Sequence, residues 1–173
     1  MDRGLIHIYC GDGKGKTTAA IGLAARCAGA GGRVLFFQFL KGNSSSERKI
    51  LKEIKNIDLV DGIDNMKFVW NMTDTEKAEA ARKYKKIFED IADRAADYDM
   101  IILDEVIPAL KYDFVSEHKL VDFLKSKPDG TEIVLTGREP SNGLMELADY
   151  VTKMKKIKHP FDDNIKARLG IEY

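Results

Sequence analysis

The sequence contains few cysteines and no excess of either charge. Its 173 residues include two cysteines, Cys10 and Cys27, whose spacing fits neither a disulfide framework nor a metal knuckle. The 28 basic and 28 acidic side chains cancel, so the chain lacks the overall positive field that gathers nucleic acid. We therefore expect free thiols in a reducing compartment and no nucleic-acid partner, although a local basic stripe remains open.

The sequence also lacks a hydrophobic run long enough to span a membrane. Its amino-terminal apolar stretch is short and ends in charged residues and glycines, unlike a secretory signal peptide. We therefore expect a cytoplasmic protein with no membrane partner. The length and the hydrophobic share of 44% predict one domain over residues 1–173, with residues 155–173 as a tail packed on it.

Short aliphatic runs alternate with longer stretches of helical period. This pattern predicts an α/β fold with helices on both faces of a mostly parallel sheet. Continuous hydrophobicity, without alternation, is typical of strands covered on both sides. The predicted strands are residues 5–9, 33–39, 67–69, 100–103, 132–136 and 150–154.

Helix signals lie between these strands. An alanine-rich helix is expected at about residues 16–28, where glycines end it. Thr73 and Glu76 form a capping box that predicts the start of the longest helix, and Ser116 can cap another. The least regular region, residues 41–65, is expected to be a mobile loop near the site. The residues of the longest helix expected to face the sheet are Tyr84, Phe88, Ile91 and Ala95.

The strongest functional signal is a glycine-rich segment between the first predicted strand and the first predicted helix. Glycines let backbone amides converge on phosphate oxygens, and the helix amino terminus adds a favourable dipole. Lys16 supplies a cation, and Thr17 supplies a hydroxyl for Mg²⁺. Cys10 stands where a strict Walker pattern has glycine, so the loop is a variant; the alternative is a turn that binds nothing. The predicted phosphate-binding residues are Gly11, Asp12, Gly13, Lys14, Gly15, Lys16, Thr17 and Thr18.

A second signal is the apolar run 100–103, which ends in Asp104 and Glu105. Carboxylates at the carboxyl end of a parallel strand lie beside a phosphate loop, where one can hold Mg²⁺. The alternative is a buried strand followed by an acidic helix start. Together the loop and this strand predict a three-layer domain of the P-loop NTPase-like (RecA-like) class.

Two further signals are weaker. Arg138 follows a predicted strand and can neutralise a phosphate or a leaving group at the same sheet edge; the alternative is an exposed surface arginine. Phe68 and Trp70 lie at strand period and can contact a flat ligand. For this pair, core packing is the interpretation that the residues alone favour.

Taken in order, these motifs resemble one family, the P-loop corrinoid adenosyltransferases of the CobA, BtuR and CobO type. The similarity covers almost the whole chain, and its collinearity is more specific than the phosphate loop alone. The matching segments are residues 9–20, 38–42, 68–70, 103–105, 136–138, 147–149, 158–162 and 167–173.

The resemblance implies a reaction between ATP and a reduced corrinoid. Cob(I)alamin attacks C5′ of ATP and expels inorganic triphosphate, so the loop holds a leaving group, and the nucleotide lies in the reverse sense to that in P-loop hydrolases. By motif, Phe68 and Trp70 bind the lower face of the corrin. The implied catalytic residues are Lys16, Glu105 and Arg138. The implied ligands of Mg²⁺ (or Mn²⁺) are Thr17, Asp104 and Glu105.

The resemblance also implies a homodimer and an electron-donor flavoprotein reductase, and the chain departs from the family in three places. Asp12 replaces the usual asparagine, and residues 43–46 differ from the expected motif. Longer relatives carry an amino-terminal segment that can cover the site, whereas this chain reaches its first strand by Leu5, so a shorter lid or none is expected.

Two other functions are compatible with a phosphate loop. A P-loop ATPase or small-molecule kinase would need a water-positioning residue or an arginine-rich lid, and neither is evident in the sequence. A nucleotide-sensing module, such as an adaptor for nucleic acid, would fit the neutral charge poorly.

Overall fold

The computed structural model describes residues 3–172. Within them the chain forms six strands and six α-helices. The strands are β1 (Ile6–Cys10), β2 (Val34–Gln38), β3 (Ile57–Leu59), β4 (Met100–Asp104), β5 (Glu132–Thr136) and β6 (Tyr150–Lys153). The helices are α1 (Lys16–Gly29), α2 (Ser46–Leu51), α3 (Asp74–Asp93), α4 (Val106–Lys111), α5 (Glu117–Ser126) and α6 (Asn142–Leu147).

The six strands form one sheet in the order β3-β2-β4-β5-β1-β6. All its pairings are parallel. The carboxyl ends of β1, β2, β4 and β5 therefore meet at one edge, where ligands bind in open α/β sheets. This edge carries the glycine-rich loop and the acidic pair.

Helices cover both faces of the sheet. Alternate residues of β2 point to opposite faces: Phe36 packs with the alanines of α1, whereas Phe37 packs with Tyr84 of α3. The strands β2 and β4 are buried along their whole length, which explains their continuous hydrophobicity. The predicted α/β fold, with helices on both faces of a parallel sheet, is confirmed.

The longest helix begins as predicted. The hydroxyl of Thr73 accepts a hydrogen bond from the Glu76 amide at 3.2 Å, and the Glu76 carboxylate accepts one from the Thr73 amide at 2.9 Å. These two bonds satisfy amides that have no partner within the helix. Tyr84, Phe88 and Ile91 are buried against the sheet, as expected.

Several short elements differ from the predictions. Residues 67–69 form no strand; instead Val69–Asn71 is a 3₁₀ helix, closed by a 2.8 Å bond from the Asn71 amide to the Phe68 carbonyl. The region 41–65, expected to be irregular, contains α2 and β3. Helices α4 and α6 were not predicted either. Elements of three to six residues are too short to show a period in the sequence.

Candidate functional site

The glycine-rich loop connects β1 to α1 through two left-handed residues. Gly11 has φ +100° and Gly15 has φ +108°, a conformation that glycine adopts without the strain of a side chain. A Cβ on Gly11 would lie 2.3 Å from the Met154 carbonyl oxygen. The loop is also tied to its neighbours, because the Gly13 amide donates to Met154 and the Gly11 amide donates to Arg138, both at 2.8 Å.

Lys16 spans the mouth of this loop. Its Nζ donates to the carbonyl oxygens of Gly11 and Gly13, both at 2.8 Å. Burial lowers the pKa of the Lys16 ammonium, while the nearby Glu105 carboxylate acts in the opposite direction. The cation is therefore held at the point where phosphate oxygens would approach the loop amides.

Asp104, at the end of β4, is the polar centre of the site and is fully buried. Its Oδ1 accepts hydrogen bonds from Thr17 at 2.9 Å and from Thr136 at 2.7 Å. Its Oδ2 accepts from Gln38 at 3.2 Å and from the Lys41 ammonium at 3.1 Å. Four side chains from three segments of the chain thus donate to one carboxylate, which fixes its orientation.

Lys41 follows β2, and its charge is sustained by acidic neighbours. Burial alone would lower the pKa of its ammonium, but the charge and hydrogen bond of Asp104, with a smaller effect from Glu47, raise the pKa above its ordinary value. The Lys41 ammonium also lies 3.3 Å from the Thr17 hydroxyl oxygen. Lys41 therefore stays protonated beside the carboxylate.

Glu105 adopts a left-handed conformation, with φ +57°, at the start of α4. Its amide donates to the Thr136 hydroxyl at 2.8 Å, and its side chain lines the cavity described below. Burial, and then the charge of Asp104, raise the pKa of the Glu105 carboxyl. A non-glycine residue held at positive φ carries backbone strain, a feature that concentrates at functional sites.

Arg138 leaves β5 at the same edge. The preceding Gly137 has φ +154°, and a Cβ there would lie 2.4 Å from the Ile107 side chain, so the close approach of α4 requires glycine. The guanidinium of Arg138 is exposed and lines the cavity. Arg138 thus lies beside the loop, at the sheet edge where the sequence predicted it.

A cavity of about 780 Å³ lies over the loop, within the range of sites for small molecules. The predicted site residues that line it are Asp12, Gly13, Lys14, Gly15, Lys16, Thr17, Thr18, Glu105 and Arg138. Gly11 and Asp104 lie beneath this surface and are buried. The two residues position the loop and the hydroxyl of Thr17 from below.

The chain after β6 forms part of the cavity wall. Asp12, which replaces the family's asparagine, accepts a 3.1 Å hydrogen bond from the Lys156 amide. That bond, with help from nearby lysines, lowers the pKa of the Asp12 carboxyl. His159, Ile171 and Glu172 also line the cavity, so residues after β6 contribute to its wall.

Phe68 and Trp70 are not among the residues that line this cavity. Their rings stack on each other, with centroids 4.7 Å apart and planes at 9°. The two side chains are 66% and 73% exposed, while Val69 between them is buried. The interpretation that the two aromatic residues pack in the core is therefore wrong, because they form an exposed apolar surface.

Sequence reasoning assigned no role to three residues that complete the site. Lys41, Gln38 and Thr136 all bond to Asp104. Lys41 and Gln38 belong to the segment 38–42, whose similarity to the family was noted. A usable signal was the position of this segment at the carboxyl end of a strand, where polar side chains meet the site.

The donor set suits a hard divalent cation. The Thr17 hydroxyl and the carboxylates of Asp104 and Glu105 are oxygen ligands of the kind that Mg²⁺ prefers, and Mg²⁺ commonly takes one or two carboxylates together with substrate phosphates. Over residues 3–172 no group of three or more His, Cys, Asp or Glu side chains could hold a metal ion. Thr17, Asp104 and Glu105 would therefore supply part of the coordination shell of such an ion, and substrate phosphates would supply further oxygens.

Comparison with known proteins agrees with this geometry. A model of the family described as ATP:corrinoid adenosyltransferase BtuR/CobO/CobP matches residues 2–173. A corrinoid adenosyltransferase of Escherichia coli (strain K12) is 33% identical over 99% of this chain and 87% of its own length. One from Sinorhizobium sp is 37% identical over 99% of this chain and 81% of its own.

In structure, a KaiC-like protein of Pyrococcus horikoshii OT3 aligns with a TM-score of 0.49 and 18% identity, over 91% of this chain and 75% of its own. In the described part of the chain, no helix is both long enough and apolar enough to cross a membrane.

The phosphate loop, the buried Asp104 and the matched length together lead to one assignment. This chain belongs to the ATP:corrinoid adenosyltransferase family.

Proposed function

We propose that the chain transfers the 5′-deoxyadenosyl group of ATP to the cobalt of cob(I)alamin or a related corrinoid. The observation that carries this proposal is the family match over residues 2–173. The cobalt(I) electron pair attacks C5′, the C5′–O bond breaks, and its electrons leave with inorganic triphosphate. The substrate pair and the reaction type follow from the family, while the roles of single residues below are proposals.

The loop and its cations hold the departing triphosphate. Lys16 is placed to exchange its two carbonyl partners for phosphate oxygens, and Arg138 faces the same cavity. Positive groups fixed where negative charge develops stabilise the transition state without reorganising. Lys16 and Arg138 are therefore the proposed catalytic cations, and the backbone of residues 11–18 is the proposed triphosphate cradle.

Thr17, Asp104 and Glu105 are the proposed ligands of Mg²⁺. When bound, the ion would neutralise charge on the triphosphate. Thr17 already lies 2.9 Å from Asp104, so its hydroxyl is oriented by the carboxylate. The raised pKa of Glu105 indicates a carboxylate that gains by acquiring a cationic partner.

Phe68 and Trp70 are proposed to bind the corrin. Their exposure and their stacked rings support this role, because a flat apolar surface suits a large planar ring system. Contact with the lower face would favour a cobalt that has lost its axial base. The cobalt electron pair then stays available for attack.

A direct test incubates the protein with ATP and Mg²⁺, with and without reduced corrinoid, and identifies the phosphorus products. Triphosphate that is released only with the corrinoid supports the proposal. Steady release of orthophosphate without the corrinoid would instead support an ATPase or kinase, which the family relationship does not favour. Salt-dependent retention on DNA would instead support a nucleotide-sensing module that binds nucleic acid.

The remaining expectations concern assembly and context. We propose a homodimer, which the exposed apolar residues Tyr150 and Val151 on the edge strand β6 support; light scattering at several concentrations tests it. A cytoplasmic location is proposed because both cysteines are unpaired. A flavoprotein reductase as partner and a single domain over residues 1–173 also stay predictions.

A further inference from the structure

Lys41 places a cation among the oxygens proposed for the metal ion. Its ammonium nitrogen lies 3.3 Å from the hydroxyl oxygen of Thr17 and 3.1 Å from Oδ2 of Asp104. The carboxylate of Glu47 is 3.6 Å away. Two of these three oxygen-bearing groups, Thr17 and Asp104, are proposed metal ligands.

The Asp104 carboxylate depends on this cation. It is fully buried, and its other described partners, Thr17, Gln38 and Thr136, donate neutral hydrogen bonds. Within residues 3–172, the ion pairs of Asp104 are limited to the one with Lys41. A buried carboxylate without a charged partner is strongly destabilising, so Lys41 supplies the counter-charge.

We infer that the Lys41 ammonium and a divalent cation compete for the same oxygens of Thr17 and Asp104, so that the metal ion binds tightly only together with a triphosphate. A divalent cation a few ångströms from an ammonium is repelled, and the repulsion is strong where water is scarce. The phosphates of ATP remove the conflict, because they offer the ammonium a new anionic partner. This inference rests on the proposed metal and nucleotide site, and it does not depend on which corrinoid accepts the adenosyl group.

The exchange needs only a side-chain movement. The backbone before Lys41 is anchored, since the Leu40 amide donates to the hydroxyl of the buried Tyr84 at 3.0 Å. Lys41 itself lines the cavity, and its flexible four-carbon stem lets the ammonium rotate towards a ligand. The ammonium can therefore leave Asp104 without a change in the sheet or the loop.

The test measures Mn²⁺ binding by electron paramagnetic resonance in the wild-type protein, Lys41→Met and Lys41→Arg. In the absence of nucleotide, Lys41→Met is expected to bind Mn²⁺ at least about tenfold more tightly than the wild type, because the competing charge is gone. Lys41→Arg keeps the charge and should resemble the wild type. Lys49→Met removes an exposed lysine from the neighbouring helix and should also leave Mn²⁺ binding unchanged.

Coupling to the nucleotide gives a second measurement. In the wild type, ATP should strengthen Mn²⁺ binding by a large factor, and by reciprocity Mn²⁺ should strengthen ATP binding equally. In Lys41→Met this factor should fall by about tenfold. Equal Mn²⁺ affinities and equal coupling in the two proteins would overturn the inference and leave Lys41 a structural ion-pair residue.

Lys41→Met can lose stability because Asp104 is left without its counter-charge. In that case the unfolding temperature is measured with and without Mn²⁺. A rise with Mn²⁺ in Lys41→Met but not in the wild type supports the competition, whereas no rise overturns it. If the wild type binds no Mn²⁺ even with ATP, the metal site itself fails, and adenosyl transfer is then judged separately from its products.

Discussion

The two ends of the proposed reaction are built differently. At the nucleotide end, Asp104 is fully buried and accepts bonds from four side chains on three segments of the chain. At the corrinoid end, Phe68 and Trp70 are mostly exposed and contact each other. The side chains of the nucleotide end are therefore held by several hydrogen bonds, whereas the aromatic pair is held through one buried neighbour, Val69.

This contrast matches the demands of the two substrates. A triphosphate leaving group needs charges fixed in advance, because reorganising them during the reaction would raise the barrier. A corrin is a broad, mainly apolar surface, and an exposed aromatic pair can meet it with little directional bonding. Substitutions at the nucleotide end should accordingly impair triphosphate release, whereas substitutions of the aromatic pair should impair transfer to the corrinoid and leave ATP binding nearly unchanged.

The largest effect is expected from Lys16→Ala. The loop loses the cation that now bridges Gly11 and Gly13, so turnover should fall by about 10²–10³-fold or more. Steady-state kinetics of triphosphate release measure the loss. Lys49→Ala, which changes an exposed residue of α2, is the control. Unchanged turnover in Lys16→Ala would remove the loop from the proposed site.

A second large effect is expected from Asp104→Asn. All four side chains around this carboxylate donate to it, so replacing one of its oxygens with an NH₂ group removes an acceptor, and Lys41 loses its charged partner. The free energy of unfolding should fall by about 1–3 kcal/mol, as measured by urea denaturation. Adding Lys41→Met should recover part of the loss. Equal stability of Asp104→Asn and wild type would show that the buried network is not a stabilising unit.

Trp70→Ala tests the aromatic pair proposed to bind the corrin. Transfer to the corrinoid should fall by about tenfold in kcat/KM through the lost stacking surface, while the Kd for ATP stays within about twofold because Trp70 does not line the cavity. Stability should change by less than about 0.5 kcal/mol, since the side chain is exposed. Tyr112→Ala removes another exposed aromatic residue as the control. A general loss of stability would instead show that Trp70 supports the fold, and would contradict its proposed role as a ligand residue.

The smallest effect concerns pH and Glu105. Burial, and then the Asp104 charge, raise the pKa of this carboxyl in the fold. Its ionisation therefore reduces the free energy of unfolding as the pH rises from the unfolded pKa through the folded pKa. Glu105→Gln should remove this decrease: relative to the wild type, the variant should gain stability as the pH rises from about 4 through the raised folded pKa of Glu105. Parallel stability curves over that range would contradict the assigned environment of Glu105.

The long elements of the fold could be predicted because each carries its own signal. The alanine-rich α1 and the capping box of α3 are local patterns, and their observed limits agree closely with the prediction. The short elements could not be predicted so well. Around Val69, a short apolar run indicated a strand, yet the chain forms a 3₁₀ turn there in which Val69 is buried between the exposed Phe68 and Trp70.

The sequence predicted the candidate site residues that belong to contiguous motifs. It missed the role of those that are brought together only by the order of the strands in the sheet. The glycine-rich loop and the pair Asp104–Glu105 are contiguous patterns, so the sequence could identify them. The role of Lys41 depends on β2 pairing with β4, which sets Gln38 opposite Asp104. That neighbourhood arises between residues far apart in the chain, and a single sequence does not reveal it.

The most direct test of the central claim is an anaerobic single-turnover reaction with chemically reduced cob(I)alamin, ATP and Mg²⁺. The reaction is followed by the loss of cob(I) absorbance and by the light sensitivity of the product. We expect a photolabile adenosylcobalamin and one triphosphate for each corrinoid consumed. No photolabile product, despite measured binding of ATP, would contradict adenosyl transfer as the function of this chain.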